Sequence, residues 1–97
     1  MSNVDEAHIE ENLEAIRVYL IGQFKGFELT DTPDRPRSHM FTVTKSSEER
    51  YQVKVPWLQL SDTSNTPKTT NQRLVTDDVA GRMKSKSQGE YFSWGKY

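Results

Sequence analysis

An α+β fold is expected for this 97-residue chain. The architecture is an antiparallel sheet of three to four strands, with a long N-terminal helix and a short second helix packed on one face. Three observations carry it. Apolar residues recur at helical spacing through the first 24 positions, period-two alternation runs on both sides of a polar turn at 46–49, and a second helical pattern followed by an aromatic run closes the chain. The order read from these is α-β-β-β-α-β, with helices on one side of the sheet.

Ile9, Leu13, Ile16, Leu20 and Phe24 follow one another at steps of four, three, four and four, within one narrow stripe of a helix. Ser2, Asn3 and Asp5 are candidate N-caps, and Gly26 is a natural stop. Acids crowd the first half of this helix while Arg17 and Lys25 come later, each sign suited to the macrodipole. Val18 and Ile21 lie off the stripe, at about 120° to 180° from Ile9, and Tyr19 flanks it. These three residues, Val18, Tyr19 and Ile21, are the candidates for a protein interface, self-association included.

Phe27-Glu-Leu-Thr30 alternates as a short strand, and the segment 31–38, with Pro33 and Pro36, reads as a loop. Phe41 and Val43 alternate with Thr42 and Thr44, as Tyr51, Val53 and Val55 do with Gln52 and Lys54. For the two apolar rows to share a face, Val43 must oppose Tyr51 or Val53. Pro56 then breaks the strand, and Trp57-Leu-Gln-Leu60 adds core material. Ser61–Gln72 contains no core-forming residue and is expected to be a mobile polar loop inside a single domain spanning 1–97. Thr76-Asp-Asp begins the second helix, with Val79, Ala80 and Met83 facing inward. Phe92 and Trp94 share the inner face of a last strand.

Composition narrows the function. The chain has no cysteine, which excludes disulfides, thiolate chemistry and cysteine-ligated metals, and fits a reducing compartment, so a cytoplasmic protein is expected. No apolar run approaches the roughly 20 residues of a membrane span. His8 and His39 belong to no ligand spacing and read as surface histidines; Glu10, Glu11 and Glu14 have a helix-terminal reason to be acidic. No phosphate loop, nucleophile elbow or calcium loop is present. Neither catalysis nor a cofactor is therefore expected.

The net charge of −1 conceals an asymmetry. Seven acids face two bases up to Asp31, a charge of −5, whereas from Thr32 onward eleven bases face seven acids, a charge of +4. The leading expectation is a small interaction or regulatory module that binds another protein or itself. The alternative is a nucleic-acid binder using Arg82, Lys84, Lys86, Tyr91, Lys96 and Tyr97, where bases neutralise phosphates and aromatics stack on nucleobases. A pI near 6.1 argues against that alternative.

Overall fold

The structure is a computed structural model that describes residues 3–34, 38–62, 64–86 and 90–95, with the side chains of residues 3–6 and 34 left aside. In chain order the elements are α1 (Asn3–Gln23), β1 (Glu28–Asp34), β2 (Ser38–Ser46), β3 (Glu49–Pro56), α2 (Trp57–Ser61), α3 (Pro67–Thr76), α4 (Val79–Lys84) and β4 (Phe92–Ser93). The α+β arrangement anticipated from the sequence is present: a long N-terminal helix, a four-stranded sheet in the order β1-β2-β3-β4, and short helices.

The hairpin of β2 and β3 pairs Val43 with Tyr51 and Phe41 with Val53. On the other side β1 lies antiparallel to β2, with Leu29 opposite Val43. The apolar row Phe41, Val43, Val53 and Val55 is buried, and Leu13, Ile16, Leu20 and Phe24 of α1 share its core. Alternation decides this register, because a slip of one residue would turn the row to water. The opposite face is polar: Thr42 opposes Gln52, whose Nε2 donates to Thr42 Oγ1 at 3.3 Å. Helix α1 stops where Gly26 takes φ +87, a left-handed conformation that costs glycine little. The N-cap expected among Ser2, Asn3 and Asp5 falls outside the described side chains.

Several expectations are corrected. Strand β1 continues through Pro33 to Asp34, where a loop was expected; it is an edge strand, and proline on an edge removes a donor that the ladder does not use. β4 joins β3 in parallel, so the sheet is mixed. A parallel neighbour requires a crossover, and α2, α3 and α4 supply it.

The polar stretch 61–72, expected as a mobile loop, contains the start of helix α3. Thr66 Oγ1 accepts from the Thr69 amide at 3.2 Å and Thr69 Oγ1 accepts from the Thr66 amide at 2.8 Å, with Pro67 in the first turn. α3 is anchored by buried Thr70 and Leu74, four residues apart. Thr76 closes this helix and does not open the next. Asp78 caps α4 instead, in the left-handed region at φ 50, its carboxylate accepting from the Gly81 amide at 3.3 Å.

Candidate functional site

Helix α1 has two unlike faces, and the candidate site lies on the one turned from the sheet. The inward arc carries the apolar stripe and two buried polar groups. Asn12 donates to the carbonyls of Leu60, at 2.8 Å, and Asn65, at 2.9 Å, and accepts from Thr70 Oγ1 at 3.0 Å. Low dielectric makes such bonds costly to leave unmade, so Asn12 ties α1 to the crossover. His8 Nε2 reaches the carbonyl of Asp62 at 2.8 Å in the same region.

Arg17, at the edge of that arc, meets Asp31 of β1 through two parallel bonds, Nε to Oδ2 at 2.9 Å and Nη2 to Oδ1 at 3.0 Å. Its Nη1 also reaches Glu10 at 2.6 Å and Glu14 at 3.2 Å. His39 Nε2 donates to Asp31 Oδ1 at 2.7 Å. His39 is buried at 6% exposure, not at the surface as expected, because β2 carries it on the core side next to Phe41. Arg17 first, and then His39, hold the Asp31 carboxyl below its usual range against the opposing effect of burial. Asp31 in turn raises the Arg17 pKa. The two Arg17–Asp31 bonds join helix to sheet, and the His39–Asp31 bond ties β2 to β1. Among the described residues, no three His, Asp or Glu side chains converge as metal ligands.

The outward arc is different. Val18 and Ile21 are each 60% exposed. A Cβ at Gly22 would meet no atom within 4 Å, so none of the described residues packs over that position. An open groove runs beside Val18, walled by Glu11, Glu14 and Ala15 of α1 and by Pro67 and Asn71 of α3. Val75, one turn beyond Asn71, is 61% exposed as well. Tyr19 is not part of this surface. It is 7% exposed, and its hydroxyl accepts from the Ala80 amide at 3.1 Å, serving as a distant cap for an otherwise open donor in the first turn of α4. A tyrosine on the flank of the stripe is large enough to reach across, which spacing alone does not reveal.

Among the described residues of the C-terminal basic and aromatic set, Arg82, Lys84 and Tyr91 each have contacts within the chain. Arg82 Nε donates to the Asp77 carbonyl at 2.8 Å, and its guanidinium lies 5.9 Å from the Phe92 ring centre. Lys84 Nζ sits 5.1 Å from the ring of Phe24, and Tyr91 has Lys54 Nζ at 5.0 Å. Lys86 is exposed, while Lys96 and Tyr97 lie outside the described residues. Trp94 is buried, its Nε1 donating to Asp77 Oδ2 at 2.9 Å. Comparison with known protein families, with curated proteins and with solved structures finds no match to this chain. Among the described residues, no helix is long and apolar enough to cross a membrane.

Proposed function

We propose that the chain is a small, non-catalytic interaction module that docks another protein on the outward face of α1, with α3 as the side wall. One observation supports this above the others: Val18 and Ile21 stand 60% exposed on a helix whose Leu13, Ile16, Tyr19 and Leu20 are buried in the core. Removing two such side chains from water is worth roughly 1 to 2 kcal/mol each, enough to anchor a modest interface. Asp31 accepts from both Arg17 of α1 and His39 of β2, a structural use that favours a binding role over a catalytic one. Binding of nucleic acid has less support, since Arg82 and Lys84 lie against rings of their own chain. A cytoplasmic location accompanies the reading, on the absence of cysteine.

The test is a binding titration of a partner recovered by affinity capture, using wild type and Val18→Asp/Ile21→Asp side by side. Burying two carboxylates in place of two aliphatic groups is expected to weaken association by about 100-fold or more. Equal affinity for the two proteins would remove this face from the account.

A further inference from the structure

Where α2 and α3 meet the segment after β4, the crossover leaves two adjoining clefts of about 560 and 230 Å³, with Gln59 and Arg73 lining both. Neither shares a lining residue with the groove beside Val18. Gln59 is 7% exposed, and its backbone carbonyl accepts from Asn65 Nδ2 at 2.9 Å. Its side-chain amide has no hydrogen-bond partner among the described residues. Such a buried amide destabilises the fold that carries it, so packing does not explain it. A Cβ at Gly95 would stand 3.1 Å from Gln59 Cβ and 3.2 Å from its Cγ, so the bare glycine lies close against the stem and holds the amide at the junction of the clefts.

Arg73 is exposed, and its guanidinium makes no hydrogen bond or ion pair among the described residues. Asp62 lines the wider cleft and Asp77 the narrower, each with one oxygen engaged: Asp62 Oδ1 by Ser64, and Asp77 Oδ2 by Trp94 Nε1. We infer that this trough binds a short zwitterionic peptide, its carboxylate on Arg73, a peptide group on Gln59 and its ammonium on Asp62. A guanidinium fork matches a carboxylate, and a glutamine amide, with one acceptor and two donors, complements the N–H and C=O of a peptide group. Two carboxylates beside Arg73 repel a phosphate dianion and draw an ammonium. The wider cleft has the room for that end of the ligand, and Leu58, 66% exposed on its wall, offers apolar surface to a side chain.

Calorimetric titration of the full chain with glycyl-leucine, a dipeptide that carries all three groups, tests the site. Wild type is expected to bind it with a Kd of about 1 mM, and Arg73→Gln and Gln59→Leu each to weaken binding about tenfold. Glycyl-leucinamide, which lacks the carboxylate, and free leucine, which lacks the peptide group, should bind wild type about tenfold more weakly than the dipeptide. Val18→Asp/Ile21→Asp should bind glycyl-leucine as wild type does, so this site and the docking face of α1 stand or fall separately. Thermal unfolding without ligand adds a second readout. Gln59→Leu is expected to melt at or above the wild-type temperature, because it removes an amide that the fold leaves unmatched. No binding of glycyl-leucine up to about 20 mM overturns the inference. So does equal affinity for glycyl-leucinamide or free leucine, unchanged binding in either variant, or a Gln59→Leu protein that melts below wild type.

Discussion

At Asp31 one carboxylate holds three elements together, receiving both Arg17 bonds from α1 and the His39 bond from β2 while sitting on β1. Its pKa is lowered on folding, chiefly by Arg17. A group of this kind stabilises fully above its unfolded pKa of about 3.9, and the contribution is lost as pH falls through the lower folded value. Asp31→Asn is therefore expected to cost about 2 kcal/mol near neutral pH and to flatten the acid limb of stability against pH. Urea unfolding at several pH values measures both effects. Asn12 is the other residue on which the packing turns: Asn12→Leu strands the Leu60 and Asn65 carbonyls and the Thr70 hydroxyl, at about 3 kcal/mol in the same assay. Neither role was legible in the sequence. Asn12 sits among Glu10, Glu11 and Glu14 and reads as one more polar surface residue, while Asp31 and His39 come together only once β1 and β2 are in register. Polar residues carry no periodic signal of their own, so a buried one is visible only through its partners.

The elements read from hydrophobic periodicity are those whose apolar residues repeat over several turns or pleats. α1, β2 and β3 are of this kind, and the pairing of Val43 with Tyr51 was one of two registers that alternation allowed. α3 escaped because it buries only Thr70 and Leu74, and its length is set by capping. The Thr66-Pro67 start followed by Thr69 was the available signal. The two helical glycines separate local propensity from packing. Gly22 faces open space, so Gly22→Ala is expected to raise the stability of the monomer by about 0.5 to 1 kcal/mol. Gly81 faces the Asp78 carboxylate that caps α4, and a methyl group there would strike it. Gly81→Ala is accordingly expected to lower stability, reversing the gain that helix propensity alone assigns. Paired thermal melts of the two variants, moving in opposite directions, check this.

Over the whole molecule, the small supply of apolar residues decides what is left outside. The stripe of α1, the inner face of the sheet, Leu60, Leu74, Val79, Met83 and Trp94 are consumed in one core. Val18 and Ile21 were legible as lying off the stripe, because helical geometry is regular enough to place them without neighbours. Tyr19 was misassigned because its reach to Ala80 depends on where α4 packs. The basic C-terminal segment looked like a surface patch in sequence, yet the fold sets Arg82 over Phe92 and Lys84 over Phe24, while Tyr91 faces Lys54 of β3. The central claim is that the outward arc of α1 is where a second protein docks. Amide chemical-shift mapping reads it directly: on adding the partner recovered by affinity capture, shifts should move together along the outward face of α1 and on the adjoining α3, leaving β1 and the hairpin turn still. Shifts confined to the C-terminal segment, or none on the outward face of α1 at saturation, would contradict it.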